Sequence, residues 1–571
     1  MTMRHKPAAS QDLLAQERGT IRKKWAGRLP VALLFPNRYG IGASNLGFQL
    51  VYHLANQHPD IVCERFFLPE AGTPLLSCES RRPLRDFPVI LYAAPFEADF
   101  LNLLAMLQES GAPLVAAERG ESAPLIIGGG VIAFMNPEPL APFTDLFVVG
   151  EAEPVLPTIL DTLVSRRRDA ADRAGLLRHL AATLPGCYAP RFYTPHYHDD
   201  GTLAAVRVAE GLPQRVRKVV LPQAAVAGHS QLLSPQAEFA DLFLTELGRG
   251  CSRGCRFCAA GFVYRPPRLW SAEAILAALQ ERPADTLRVG LLGMEMARPT
   301  DLARIAARLS EQGCSLSFSS LRADALGPEL VALLGRSGIK TATIAPDGPS
   351  ERLRRVINKG ITREEVLAAA RTLAEQDITQ LKLYFMLGLP TETADDLAEM
   401  VALVREVKGE LLAVGRRKGR LANITLSVSS FVPKPWTPFQ YHPFAALTAL
   451  KNGLQFLRRE LGREPNVRLM ADQPAKAFFQ AVLARGDRRL GLALAETLRD
   501  RRSWQQALVA HDLAPAFYAS RQRPRDELFP WEIVDHGIRR DYLWAEYQRA
   551  LAAKSTPRCE VVRCRRCGVC Q

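Results

Sequence analysis

The stretch LFLTELGRGCSRGCRFC, residues 242–258, decides how this chain is read. It opens on a short apolar run, Leu242–Leu244, of strand character. It ends in three thiols, Cys251, Cys255 and Cys258, spaced C-x3-C-x2-C. Glycines at 248, 250 and 254 let the loop take positive φ and wrap three thiolates around one metal cube. A four-iron cube held by three cysteines keeps one iron open to an outside ligand, as a catalytic zinc site keeps a position for substrate. The competing readings are a zinc knuckle short of one ligand, or buried free thiols.

Working outward, residues 241–445 alternate strand-like runs (Leu242–Leu244, Val289–Leu292, Leu316–Phe318, Thr341–Ile344, Leu381–Leu387, Ile424–Val428) with helix-like segments such as Thr300–Glu311 and Ala394–Val407. Six βα units with chemistry at the strand ends predict a partial (β/α)6 TIM-type barrel. Upstream, residues 30–165 alternate in the same way and predict a doubly wound, Rossmann- or flavodoxin-like domain. Residues 1–29 form an N-terminal extension, with a short helix expected within Leu13–Trp25. Residues 166–240 read as a connecting region and 446–554 as mainly helical, Leu450–Leu461 and Phe478–Leu498 having the 3.6-residue period. Residues 555–571 are a cysteine-rich tail. The class is therefore α/β throughout, closed by helices.

The cysteine loop, with Phe257 before the last thiol, resembles that of the radical SAM superfamily. The resemblance implies a 4Fe-4S cluster on Cys251, Cys255 and Cys258. Its open iron would bind S-adenosylmethionine, whose reductive cleavage yields a 5′-deoxyadenosyl radical, with the electron coming from a flavodoxin- or ferredoxin-type donor. Further cofactor contacts are implied at Gly293 and Glu295 in Gly293-Met294-Glu295, at Ser319 and Arg322 after the third strand, and at Asp347 after the fourth, where a subgroup usually has Glu. Tyr384–Pro390 resembles the fifth-strand segment along the adenine, although a buried strand ended by a Gly-Leu-Pro turn explains its aromatics as well. Ser429–Phe439 resembles the sixth-strand exit of tRNA-modifying and cobalamin-binding members.

In the first domain, glycine-bearing loops fall at the carboxyl ends of strands, where doubly wound folds bind ligands. They carry Asn37, Tyr39 and Gly42, then Gly128 and Gly129, then Gly150 and Glu151. This arrangement resembles the cobalamin-binding domain ahead of the barrel in one radical SAM class. The frame that elsewhere holds Asp-x-His-x-x-Gly here holds Asn37, Tyr39 and Gly42, so a bound corrin would lack a histidine below cobalt. His53 falls within a helical segment, and Ala93-Ala94-Pro95 replaces a serine common after the third strand. The alternative is a domain that binds no corrin. A bound corrin would make the enzyme a methyltransferase acting on an unactivated carbon.

Four more thiols, Cys559, Cys564, Cys567 and Cys570, lie within twelve residues of the tail, enough for zinc or a second iron–sulfur cluster. Arg563, Arg565 and Arg566 between them favour thiolate forms and suit phosphate. The whole chain, including Arg485–Arg489 and Leu543–Tyr547, resembles a family of cobalamin-domain radical SAM proteins with this tail.

Bulk properties set the surroundings. The net charge of +14 favours RNA over protein as substrate, against a source that simply uses Arg freely. Eleven cysteines without a secretory signal or an eighteen-residue apolar run predict a cytoplasmic, metal-using chain with no membrane partner. Two other functions compete. A tRNA methylthiotransferase would need three cluster cysteines in the first domain, whereas here Cys63, Cys78 and Cys187 are scattered. A non-catalytic, metal-stabilised RNA-binding or assembly factor would make no 5′-deoxyadenosine.

Overall fold

The computed structural model describes residues 10–166, 172–295, 297–318, 320–500, 502–561 and 563–570. Leu29–Phe35 (β1) and Ile61–Phe67 (β2) are buried at every position. Such unbroken burial belongs to a parallel sheet covered on both faces. Val89–Ala93 (β3), Leu125–Gly129 (β4), Leu146–Val148 (β5) and Cys187–Tyr188 (β6) complete a sheet of order β2-β1-β3-β4-β5-β6. Only β6 runs antiparallel. The chain reverses direction across the sheet between β1 and β3, which opens a ligand crevice at the carboxyl ends of the strands. Arg65 of β2, fully buried, forks to Glu17 and Glu79, both at 2.6 Å, and ties the N-terminal extension to the sheet.

A hairpin, Tyr193–Tyr197 (β7) and Leu203–Val208 (β8), follows. Val216–Arg217 (β9) then pairs in parallel with a strand near the C-terminus. Phe243–Glu246 (β10) leads to Gly248–Arg249 (β11), which pairs antiparallel with Arg268–Leu269 (β12).

Arg288–Leu292 (β13) and Ser315–Phe318 (β14) continue from β10 as a parallel sheet. Thr341–Asp347 (β15), Gln380–Leu387 (β16), Asn423–Ser430 (β17) and Val467–Ala471 (β18) form a second one. A parallel bridge between Leu321 and Ile344 links the two into a partial barrel. The barrel thus has a seventh strand, β18, where helix was expected. That strand is five residues long and nowhere fully buried, so its apolar alternation was too weak to stand out beside its helical neighbours.

Helices cover the outer face. The longest, Ala394–Lys418, starts at a Thr393/Asp396 capping box, carries three basic residues in its last turn and stops at left-handed Gly419. The expected helix over Phe478–Leu498 is divided among three, Pro474–Ala484, Arg488–Ala495 and Thr497–Asp500; the first break falls where the Asp487 side chain caps the second helix by accepting from the Arg489 and Leu490 N–H groups. The expected Leu13–Trp25 helix is Ser10–Gln16. Val534–Asp535 (β19) is the partner of β9. Among the described residues no helix is long and apolar enough to cross a membrane.

Candidate functional site

The cysteine loop leaves β10 at the barrel's carboxyl edge. Leu247 N–H bonds the Leu292 carbonyl at 2.7 Å, and the chain then turns through Gly248 and Gly250. A Cβ on Gly248 would sit 2.2 Å from the Arg268 carbonyl oxygen. One on Gly250, at φ +84°, would sit 2.7 Å from that of Tyr264. Both positions therefore need glycine. Burial pushes the Cys258 thiol up to about 12 and raises that of Cys251. Such thiols keep their protons until a metal displaces them. Lys359 lies close enough to Cys258, and Arg322 to Cys251, for their charges to oppose that rise. Phe257 packs half-buried against the core.

Several elements hold the loop still. Glu295 accepts from the Ser252 N–H at 2.9 Å and hydroxyl at 2.6 Å. Asn358 donates to the Arg253 and Gly254 carbonyls at 3.3 and 3.2 Å. Buried Arg256 reaches Glu546 at 3.1 Å and the Val356 and Lys554 carbonyls at 2.9 and 2.7 Å. Gly293 is packed against the Glu295 carbonyl, which a Cβ would approach to 2.7 Å. Glu295, expected as a cofactor contact, thus holds the loop. Arg322 bonds Asp324 at 2.8 Å and the Lys359 carbonyl at 2.7 Å. Asp347, at φ +63°, accepts from Lys359 at 2.6 Å, and burial raises its pKa although Lys359 opposes this. Ser319 lies outside the described residues.

Beside this loop lies a cavity of about 680 Å³. One wall is the carboxyl edge of the first sheet: Leu33, Leu91, Gly128, Gly129, Val148 and Gly150. The other is the barrel: Gly248, Arg249, Tyr264, Gly293 and Met294. The lining is mainly apolar and, at Gly129, flat, the nearest atom to a Cβ there being the Tyr92 carbonyl at 3.9 Å. Gly128 is needed for another reason, since its Cβ would strike the Tyr92 hydroxyl at 2.4 Å. The first-loop residues are placed elsewhere. Tyr39 donates to Glu17 at 2.5 Å, Asn37 to Asp99 at 2.8 Å, and Gly42 packs under the Phe35 and Phe67 rings. Their side of the cavity is formed instead by Ser44–Phe48 at the start of helix Leu46–Gln57. Among the described residues no histidine lines the cavity; His53 bonds Gln57 on its own helix.

Glu151 borders the cavity, but its carboxylate is taken by Arg268 at 2.7 Å, by Arg249 at 3.2 Å and by the Leu221 N–H at 2.7 Å. Burial opposes ionisation there, yet these partners hold its pKa below the usual carboxylate range. Arg249 also reaches Glu153 at 2.7 Å and Glu246 at 3.0 Å. This guanidinium within the cysteine loop, shared by carboxylates from both domains, was missed in the sequence, where a Gly-Arg-Gly turn gives no hint of a distant partner. Two motifs singled out there are explained by packing. Glu546 of Leu543–Tyr547 pairs with Arg256. Arg488 of Arg485–Arg489 bonds Glu138 at 2.8 Å and the Tyr188 hydroxyl at 2.6 Å.

The tail folds back onto the rear of the cysteine loop, Cys559 N–H donating to the Ser252 carbonyl at 2.7 Å. Cys559 and Cys564 interact directly, and Arg566 donates to the Cys564 sulfur at 3.3 Å. Burial opposes it, but Arg566 brings the Cys564 pKa below that of an ordinary thiol. Among the described residues no three Cys, His, Asp or Glu side chains are already gathered around one point, so neither cysteine set is a preformed single-ion cage. The three loop thiols, on one glycine-hinged turn with cations beside them, fit a larger cluster.

Comparison with known proteins finds family matches in both α/β domains. Residues 47–190 match the family "Radical SAM proteins, N-terminal", and residues 245–404 match "Radical SAM superfamily". An uncharacterized protein of Methanocaldococcus jannaschii is 27% identical over 465 residues, 81% of this chain and 89% of that one. An uncharacterized methyltransferase of Pyrococcus horikoshii is 20% identical over 166 residues, 28% of this chain and 36% of that one. The cobalamin-dependent S-adenosylmethionine radical enzyme OxsB, solved with aqua-cobalamin bound, is 14% identical with a TM-score of 0.45, over 84% of this chain and 67% of that one. Two family matches, one on each α/β domain, and a cysteine loop built for an open-sided cluster lead to one conclusion: the chain belongs to the radical SAM superfamily.

Proposed function

We propose that this protein is a radical SAM methyltransferase that holds a corrin between its two α/β domains and acts on RNA. The observation that carries the reading is the 680 Å³ cavity, which joins the ligand-binding edge of a doubly wound sheet to the cysteine loop. When bound, the 4Fe-4S cluster supplies the electron that splits S-adenosylmethionine, and the corrin supplies the methyl group.

The chain's own residues arrange this chemistry. Cys251, Cys255 and Cys258 would hold three irons. The Glu295–Ser252 bonds fix the loop that would hold the cluster. Leu33, Leu91 and Gly129 would offer a macrocycle an apolar seat shielded from water. Among the described residues no histidine lines that seat. Alternate residues of β15–β17, among them Thr343, Lys382, Tyr384, Thr425 and Ser427, share a partly open face on which a polar substrate fits; Tyr384 is 40% exposed. The exposed tail arginines Arg558, Arg563 and Arg565 suit a phosphate backbone, in keeping with RNA in a cytoplasmic setting.

The test is anaerobic reconstitution followed by titration with hydroxocobalamin. Saturable binding at one corrin per chain, together with 5′-deoxyadenosine formation, supports the reading. Formation of 5′-deoxyadenosine with no corrin uptake would leave a radical enzyme and remove the methyltransferase. Retention on an RNA column that falls steeply with salt tests the substrate class.

A further inference from the structure

The tail thiols have a place in the fold that the cluster chemistry does not use. At the junction of the tail and the rear of the cysteine loop is a cavity of about 10 Å³. That is close to the room one water molecule needs, and hence room for a single ion. Cys559, Cys564 and Cys567 line it, with Ser252 and Gly254 of the cysteine loop opposite. Cys570 lies near enough to Cys564 and Cys567 to sense their charge. Arg566 donates to the Cys564 sulfur, and Arg265 lies against Cys567. Donors of this kind around sulfur are the outer-shell partners that steady a charged thiolate centre.

We propose that Cys559, Cys564, Cys567 and Cys570 bind one thiophilic divalent ion, of the zinc type, which clamps the tail to the back of the cysteine loop. Four thiolates at zinc–sulfur distances of about 2.3 Å make a closed tetrahedral site, structural rather than catalytic. Three of the four cysteines line the cavity, and among the described residues no three ligands yet converge on one point. Closure therefore requires the side chains to rotate inward; all but Cys567 are only half-buried. Each bound ion displaces the remaining thiol protons into solvent, with no change in oxidation state. The framework it would tighten already exists. Thr556 accepts from Asn358 and Arg256 and donates to Glu546, and Arg539 donates to the Arg565 and Arg566 carbonyls. A clamp here bears on Ser252 through the Cys559 N–H, on the opposite side from Glu295.

The full chain, purified anaerobically, is measured for zinc, iron and acid-labile sulfide, beside Cys570→Ser and Cys567→Ser. The expected result is about one zinc per chain in the wild type, at least a tenfold loss in both variants, and unchanged iron and sulfide. A second measurement avoids dependence on how the variants fold. In a chain with Cys251, Cys255 and Cys258 all changed to Ala, added Co(II) should give the intense visible bands of a tetrahedral thiolate site at one equivalent, and zinc should abolish them. Loss of iron and sulfide instead of zinc in the tail variants would overturn the single-ion assignment. Undiminished zinc in those variants, or no thiolate-type Co(II) spectrum, would overturn the metal site itself.

Discussion

The two parallel sheets of this molecule are built alike and buried differently. Along LPVALLF of β1 every residue is buried, whereas along QLKLYFML of β16 burial alternates, with Lys382 and Tyr384 exposed and Leu381, Leu383, Phe385 and Leu387 inside. A sheet sealed on both faces can offer a ligand only its edge. A sheet that keeps one face open offers a floor. The first arrangement suits holding a large group in place, the second suits admitting a substrate. The difference gives each region a distinct vulnerability.

The largest effect is expected at the cysteine loop. Cys255→Ala should abolish 5′-deoxyadenosine formation and remove most of the iron, while circular dichroism shows the fold retained; a variant that kept full iron and activity would refute the cluster assignment. Next is the joint between the sheets. Glu151→Gln takes one charge from a buried network and should cost about 3–5 kcal/mol in a denaturant titration. It should also lower cluster occupancy, because Arg249 loses a partner. A stability change within error would mean the latch carries no load.

Leu33→Ala, in the sealed sheet, should cost about 3 kcal/mol and weaken corrin uptake while sparing S-adenosylmethionine cleavage. Equal damage to both activities would erase the division of labour.

The open sheet has a pH signature. Glu392, just past β16, accepts from the Gly388 and Leu389 N–H groups, but burial dominates and pushes its pKa up to about 7. Its folded pKa lies above its unfolded value, so the folded state binds the extra proton and stability falls as pH rises. Between pH 5 and 7 the loss should be about 2 kcal/mol. Glu392→Gln should flatten that slope, and an unchanged slope would assign it to other groups. The smallest effect is Tyr384→Ala. On the open face it should change stability by less than about 0.5 kcal/mol and alter substrate KM instead.

Much of this was legible in the chain itself, and the rest was not, for definable reasons. The strands of both sheets announced themselves as apolar runs between helical periods, and the loop thiols by their spacing and glycines. Strand β18 did not, because Arg468 interrupts a run of only five residues. The first-loop residues failed for a subtler reason. Asn37, Tyr39 and Gly42 match a cofactor frame by position, yet Tyr39 and Asn37 satisfy their polar groups on Glu17 and Asp99, partners far away in the sequence. That Glu295 and Glu151 follow strand ends was legible in the sequence. Which atoms their carboxylates face was not, since ion-pair partners are chosen by folding and leave no local trace.

Arg249 has a final consequence, for the order of assembly. It stands between Gly248 and Gly250, two residues before the first thiol, and its carboxylate partners come from β10 and from the loop after β5. Until the two domains dock, that guanidinium has only Glu246 to hold it, although Glu295 and Asn358 of the barrel already hold the loop beyond it. Docking brings Glu151 and Glu153 to the same guanidinium, so the fit of the first domain is felt two residues from the first thiol.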